Sequence, residues 1–210
     1  MVDVAVVDYG MGNLRSVEQA LRKVAPDAEI VVSDDAGVVA NAQRVVFPGQ
    51  GAMPDCMREL EARGLRDAVL EAARDKPFLG ICIGLQMLFE HSTEGDVAGL
   101  GILRGEVVRF ANNLRDAQGN RLKVPHMGWN QVCHGNHALW DGIDQDARFY
   151  FVHSYYVQPQ DASLVQGTSD YPQPFVCAVA RGNLFAVQFH PEKSQTAGLK
   201  LLQNFMLWNP

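Results

Sequence analysis

The chain has 210 residues, with 18 lysine and arginine residues against 24 aspartate and glutamate residues, and a formal net charge of −6. This length suits one α/β domain over residues 1–210, with a core that needs neither disulfides nor metals. The acidic balance offers no basic surface for nucleic acid or an anionic membrane, so we expect a protein or a small molecule as partner.

The four cysteines, at positions 56, 82, 133 and 177, lack the dense spacing of a secreted disulfide scaffold, which favours the cytoplasm. The N-terminal segment 1–4 has no basic flank and no cleavage site, and glycines and Gln86 interrupt the longest apolar stretch, 78–89. We therefore expect neither export nor a membrane span.

The first half of the chain alternates short apolar runs with helical periodicity. Strands are predicted over 4–7, 30–32, 45–47 and 77–81, and helices over 14–24, 53–61, 65–74 and 85–90. Repeated βα units predict a parallel sheet with helices on both faces, and ligands in such folds bind beyond the carboxyl ends of the strands.

The second half is predicted to be mainly β structure. Alternation and turn residues indicate strands over 106–110, 122–132, 148–157, 175–181 and 183–189, arranged as hairpins in an antiparallel addition to the sheet. An amphipathic helix over 196–208 closes the chain.

A candidate nucleophile lies at the end of the fourth predicted strand. Gly80-Ile81-Cys82-Ile83-Gly84 has the spacing Gly-x-Cys-x-Gly, the cysteine counterpart of the nucleophile elbow of hydrolases. Glycines on either side avoid steric clashes at a tight reversal, and a helix N-terminus favours thiolate over thiol. The alternative is a cysteine that only packs at a strand end.

A candidate base and its orienting carboxylate follow the last predicted strand. Residues two apart in an extended segment lie on one face, so His190 and Glu192 project together, with the φ angle of Pro191 fixed between them. A solvated turn is the alternative. Together with Cys82, the pair indicates nucleophilic catalysis by a thiolate.

These two motifs resemble those of the class I, triad-type glutamine amidotransferases. The segments DYGMGNLRSV at 8–17, PHMGWN at 125–130 and HPEKSQ at 190–195 are similar, more narrowly, to the glutaminase subunits of imidazole glycerol phosphate synthase, from histidine biosynthesis. The resemblance spans almost the whole chain. It implies a three-layer αβα fold with a flavodoxin-like parallel core and antiparallel additions, and a catalytic triad of Cys82, His190 and Glu192.

The resemblance also implies an oxyanion site and a glutamine site. The N–H of Ile83 is one expected oxyanion donor, and the loop of Gly49, Gln50 and Gly51 is expected to supply the second. The family usually has a small apolar residue where Gln50 stands, and an ordinary strand-to-helix turn is the alternative. The positions expected to contact glutamine are Gln86, Glu94, His153, Ser154 and Tyr155.

No cofactor or metal is expected. The segment Cys133-His134-x-x-His137 lacks paired Cys-x-x-Cys spacing and sits in a turn-like stretch, which argues against zinc.

The resemblance implies a partner that receives the ammonia. That partner is a cyclase subunit with a (β/α)₈ barrel, in a heterodimer, and the expected interface positions are Asn13, Met127, Trp129 and Lys193. A core position in its strand is the alternative for Trp129. Alternatives for the whole chain are a glutaminase subunit of another pathway, a peptidase or γ-glutamyl hydrolase, and a non-catalytic subunit with a relic triad.

Overall fold

A computed structural model describes residues 2–116 and 118–210, so Met1 of the N-terminal segment lies outside the described residues. The strands are β1 (Val4–Val7), β2 (Ile30–Ser33), β3 (Arg44–Gly49), β4 (Phe78–Cys82), β5 (Phe89–Ser92), β6 (Val97–Ala98), β7 (Leu103–Arg109), β8 (His126–His134), β9 (Ala147–His153), β10 (Tyr155–Pro159), β11 (Val165–Asp170), β12 (Pro174–Arg181) and β13 (Leu184–Val187). The helices are α1 (Leu14–Val24), α2 (Ala36–Asn41), α3 (Met53–Ala62), α4 (Arg66–Asp75), α5 (Ile83–Gln86) and α6 (Gln195–Leu207). No helix in the described part of the chain has both the length and the apolar character needed to cross a membrane.

The predicted parallel core is confirmed, with one strand more than expected: the strand predicted over 183–189 in the antiparallel addition is β13, which lies parallel to β4. Its strands run in the order β2-β1-β3-β4-β13, each parallel to its neighbour. All residues of β1, β4 and β13 are buried, as expected for central strands that helices cover on both faces. Helix α1 packs against α6 and helix α2 against α4, which gives the three-layer αβα arrangement.

The antiparallel addition is confirmed too, with different boundaries. Strand β12 pairs antiparallel with β13, and β10 pairs antiparallel with both β12 and β7. The single strand predicted over 148–157 is wrong: β9 pairs with β8, and β10 pairs with β7 and β12. The chain changes its sheet neighbours at Ser154, which alternation of side chains along one strand cannot reveal.

The helix predicted over 85–90 is also wrong. Helix α5 is a single turn that ends at Gln86, and Phe89–Ser92 forms β5, which pairs with β7. Pairing with the sheet overrides the helical pattern of this short segment. A one-turn helix has little macrodipole, so the expected stabilisation of a Cys82 thiolate by a helix N-terminus is small.

Candidate active site

Three strand ends bring the predicted catalytic residues to one edge of the sheet. Gly49 at the end of β3 pairs with Cys82 at the end of β4, and Val187 at the end of β13 pairs with Ile81. The segment that follows β13 therefore carries His190 to the same edge. A cavity of about 330 Å³ opens there, lined by Gln50, Gly51, Cys82, Ile83, Gln86, Glu94, Pro125, Val152, His153, Ser154, Tyr155 and His190.

The turn at Cys82 is strained and tightly packed. Cys82 has a φ of 58° and a ψ of −111°, a conformation that costs a non-glycine residue about 1–3 kcal/mol. A Cβ atom on Gly84 would lie 1.9 Å from the carbonyl oxygen of Phe47, so only glycine lets the turn approach β3 this closely. The Cys82 side chain faces the cavity although the residue is only 4% exposed.

His190 and Glu192 form a buried pair. The Nδ1–H of His190 donates to Oε1 of Glu192 over 2.8 Å, and the two side chains are 5% and 2% exposed. Because Nδ1 carries this proton, Nε2 is the nitrogen left to exchange one, and it has no hydrogen-bond partner among the described residues. Burial disfavours the imidazolium, but the Cys82 thiolate and the Glu192 carboxylate outweigh it and raise the pKa of His190 to about 10.

Two contacts fasten the His190 segment to β9. The backbone N–H of His190 donates to the carbonyl of Tyr150 over 2.9 Å, and the Tyr150 N–H donates to Oγ of Ser194 over 3.0 Å. Ser194 in turn donates to the carbonyl of His190 over 2.6 Å. Sequence reasoning missed Ser194, because a serine before a helix reads as an ordinary cap.

The loop expected to supply the second oxyanion donor borders the nucleophile. Gln50 and Gly51 line the cavity, and Gly49 is packed so closely that a Cβ atom there would lie 2.0 Å from the Tyr9 hydroxyl oxygen. The carbonyl of Gln50 accepts the thiol of Cys56 at 3.9 Å. Burial raises the pKa of Cys56 to about 11, so this second cysteine near the loop stays a thiol at neutral pH.

The other predicted glutamine-binding residues also line the cavity. Gln86 donates from Nε2 to the carbonyl of Tyr155 over 3.1 Å and to Oε1 of Gln188 over 3.0 Å, and its own buried Oε1 has no partner among the described residues. Glu94 accepts the backbone N–H of Met53 at Oε2 over 2.9 Å, at the start of α3. Gln86 therefore presents a free acceptor, and Glu94 a negative charge, to this space.

His153 borders the cavity, but its ring nitrogens both bond to protein groups. The Tyr155 carbonyl can only accept, so Nδ1 of His153 donates to it over 2.8 Å, and Nε2 accepts the Nδ1–H of His126 over 2.9 Å. Asn130 donates to the remaining nitrogen of His126 over 3.3 Å. Burial lowers the pKa of His153 to about 3 and that of His126 to about 4, so both rings are neutral.

The expected interface positions lie near the surface beside the site. Met127 is 63% exposed and Trp129 is 42% exposed, which excludes the alternative of a core tryptophan. The centroid of the Trp129 ring lies 6.1 Å from that of Tyr150, and Nζ of Lys193 lies 6.0 Å from the centroid of the same Tyr150 ring. Asn13 is exposed and caps α1, accepting the N–H of Ser16 over 3.4 Å.

The segment around Cys133 shows no grouping of metal ligands. His134 stacks on Trp140 with ring centroids 4.7 Å apart, and His137 accepts the N–H of Leu139. Within residues 2–116 and 118–210, no three His, Cys, Asp or Glu side chains are arranged to hold a metal ion.

A cysteine on a strained turn beside a buried histidine–glutamate pair is the arrangement of an enzyme that transfers acyl groups through a thiolate. The family model for class-I glutamine amidotransferases matches residues 5–208, so the chain belongs to that family of enzymes. Two solved structures share the fold at low identity, which confirms the predicted fold class. One, a glutamine amidotransferase, has a TM-score of 0.73 and 18% identity over 98% of this chain and 97% of its own. The other, a glutamine amidotransferase from Thermotoga maritima, has a TM-score of 0.66 and 17% identity over 98% and 96%.

Full-length relatives show to which group of the class-I family the chain belongs. The chain is 65% identical to imidazole glycerol phosphate synthase subunit HisH from Thiobacillus denitrificans, over 100% of this chain and 92% of that protein. It is also 65% identical to the subunit of the same name from Aromatoleum aromaticum, over 100% of both. Within the class-I family, the chain therefore falls in the HisH group.

Proposed function

We propose that this chain is the glutaminase subunit of an imidazole glycerol phosphate synthase, and that residues 1–210 act as one glutamine amidotransferase domain. The observation that carries the proposal is the 2.8 Å contact between His190 and Glu192, which leaves Nε2 of His190 free in the cavity that Cys82 lines. Full-length similarity to HisH subunits supports the choice of assembly.

In the first half of the reaction, the Cys82 thiolate attacks the side-chain amide carbon of glutamine. The N–H of Ile83 and an N–H of the Gly49–Gly51 loop stabilise the negative oxygen that forms, and loss of one such donor slows an enzyme about 10²–10³-fold. The His190 imidazolium gives its Nε2 proton to the leaving nitrogen. The C–N bond breaks, ammonia departs, and a glutamyl thioester remains on Cys82.

In the second half of the reaction, water hydrolyses the thioester. His190, now neutral, takes a proton from the attacking water, and Glu192 stabilises the imidazolium that returns. The C–S bond breaks, glutamate leaves, and the thiolate and imidazolium are restored. The raised pKa of His190 favours its imidazolium form in the resting enzyme.

The cavity wall supplies groups suited to the amino-acid end of glutamine. The charge of Glu94 matches the α-ammonium group, and the unpartnered Oε1 of Gln86 is a second acceptor. Ser154 and Tyr155 complete the wall. They follow His153 in the chain, and the hydrogen bonds of the His153 ring hold the turn between β9 and β10. We assign His153 to the support of this wall and not to contact with glutamine through its ring.

The released ammonia requires a partner, because free ammonia in neutral water is mostly protonated and is then no longer a nucleophile. The proposed partner is a cyclase subunit with a (β/α)₈ barrel, which uses ammonia to form imidazole glycerol phosphate and an aminoimidazole carboxamide ribotide. It would dock on the surface at Asn13, Met127, Trp129 and Lys193, and the exposed Trp129 is a typical interface anchor. The cytoplasm is the proposed location, since all four cysteines are free.

The division of labour can be tested with Cys82→Ala in the complex with the cyclase. We expect glutamine-dependent synthesis to be lost and ammonia-dependent synthesis to be retained. Cys133→Ala, at an exposed thiol outside the cavity, should retain both activities. Loss of both activities in a folded Cys82→Ala complex would show that this chain does more than supply ammonia.

The partner is also expected to control turnover. We propose that binding of the cyclase and its substrate orders the Gly49–Gly51 loop, so that the isolated subunit hydrolyses glutamine slowly. The measurement is glutaminase activity with and without the cyclase and its substrate. Full turnover by the isolated chain would rule out this control.

A further inference from the structure

Gln188 is a buried polar residue for which the proposed triad has no role. It follows β13, two residues before His190, and it is fully buried. Its Nε2 lies 3.8 Å from Sγ of Cys82, and its Oε1 lies 3.0 Å from Nε2 of Gln86. Buried amides are kept only where they find partners, and both side-chain partners of Gln188 belong to the cavity.

The direction of the Gln188 amide is determined by its neighbours. Nε2 of Gln86 can only donate, and it faces the Tyr155 carbonyl as well as Gln188, so Gln188 must turn its oxygen toward Gln86. Its NH₂ group is therefore the end that faces Cys82. An N–H group stabilises a thiolate, whereas an amide oxygen at the same place would repel it.

The same hydrogen-bond network extends away from the nucleophile, and each of its bonds has a defined donor and acceptor. The Tyr155 carbonyl that accepts from Gln86 also accepts from His153, and His153 accepts from His126. Because both histidines are neutral, each donor and each acceptor in the series has one possible assignment. Two donors, Gln86 and His153, thus hold the Tyr155 carbonyl in place, and this carbonyl in turn orients Gln86.

We propose that Gln188 is a further catalytic residue, whose amide donates to the Cys82 sulfur and stabilises the thiolate, and that Gln86 is the positioning residue that holds this amide. The proposal rests on the proposed function, because it requires Cys82 to be the nucleophile. The sulfur is negative before attack and again when the thioester breaks, but it is neutral in the thioester. Donation from Gln188 therefore favours formation of the thiolate and its departure from the thioester.

The test is the pH dependence of alkylation by iodoacetamide, a reagent that needs no glutamine site, followed at each cysteine of the full-length chain by peptide mass spectrometry. In Gln188→Met, which keeps the length of the side chain but removes the donor, the midpoint for Cys82 should rise by about one pH unit, the usual effect of a hydrogen bond to a charged group. Gln86→Met should shift it in the same direction by less. Gln158→Met, at the exposed position of β10, should leave the midpoint for Cys82 unchanged, and the exposed Cys133 should show no shift in any variant.

The outcomes separate this proposal from the function on which it rests. A Cys82 that reacts readily in the wild type, with the same midpoint in Gln188→Met, overturns the role of Gln188 and leaves the triad in place. A wild-type Cys82 that reacts no more readily than Cys133 counts against the proposed function instead. Should Gln188→Met fail to fold, Gln86→Met decides, and an unshifted midpoint there overturns the proposal.

Discussion

Acid should destabilise this protein through the buried pair of His126 and His153. Burial lowers the folded-state pKa of His153 to about 3 and that of His126 to about 4, whereas both titrate near 6.5 in the unfolded chain. Below about pH 6.5 the unfolded chain therefore binds protons that the folded chain does not. The stability is complete above that pH and falls as the pH drops toward the folded values.

The size of the effect follows from the same shifts. A pH of about 5 lies roughly 1.5 units below the unfolded-state pKa of each histidine. This difference corresponds to a loss of about 2 kcal/mol of unfolding free energy for each, or about 4 kcal/mol for the pair. The free energy of unfolding of a typical domain is only about 5–15 kcal/mol. His190 offsets part of this loss, because its raised pKa gives a contribution that is complete below about pH 6.5 and declines as the pH rises toward 10, by about 1.4 kcal/mol at about pH 7.5.

Urea unfolding at about pH 7.5 and about pH 5 measures this loss. The wild type should lose about 2.5 kcal/mol in all, since about 4 kcal/mol is lost through His126 and His153 and about 1.4 kcal/mol is regained through His190. The double variant His126→Gln/His153→Gln should start less stable and show no such loss. His91→Gln, at a part-exposed position on β5, is the matched control and should lose as much as the wild type. Equal wild-type stability at the two pH values, or an equal loss in the double variant, would refute the reasoning.

Three further variants test the site, the turn and the docking face. Glu192→Gln should lower kcat for glutamine about 10⁴-fold, because the amide no longer holds the imidazole tautomer; unchanged kcat would contradict the triad. Gly84→Ala should lose more than about 3 kcal/mol of unfolding free energy through its backbone clash. Gly64→Ala has open space around the new Cβ and should lose only about 1 kcal/mol, through its left-handed φ of +67°; similar losses would contradict the packing argument. Trp129→Ala should weaken binding of the cyclase by about 2 kcal/mol, roughly 30-fold in Kd. Leu207→Ala, at another exposed apolar residue, should leave Kd unchanged; equal effects of the two variants would show that the interface does not centre on Trp129.

Local patterns were enough to predict the first four strands of the parallel core, but not that β13 joins them. The apolar run of β1 and the helical periodicity of α1 gave their observed bounds, because each is decided by burial on the faces of one sheet. The antiparallel half was harder. The break at Ser154 and the sheet pairing of β5 depend on partners distant in sequence, and no local period records them.

The candidate site was predictable where a motif carries its own geometry. Glycines around Cys82 and a proline between His190 and Glu192 constrain the backbone directly, so spacing alone pointed to them. Gln188 and His126 gave no such signal, because a single polar residue in a strand reads as one exposed position in an alternating pattern. Their burial, and hence their roles, follow only from the packing of β8, β9 and β13.

The most direct test of the central claim is covalent labelling of the complex with the cyclase by a glutamine-like chloroketone. If Cys82, His190 and Glu192 act together on glutamine, the label should appear at Cys82 far faster than at Cys133, excess glutamine should protect the site, and Glu192→Gln should slow the reaction. Labelling of Cys82 at the rate of Cys133, without protection by glutamine, would contradict the account.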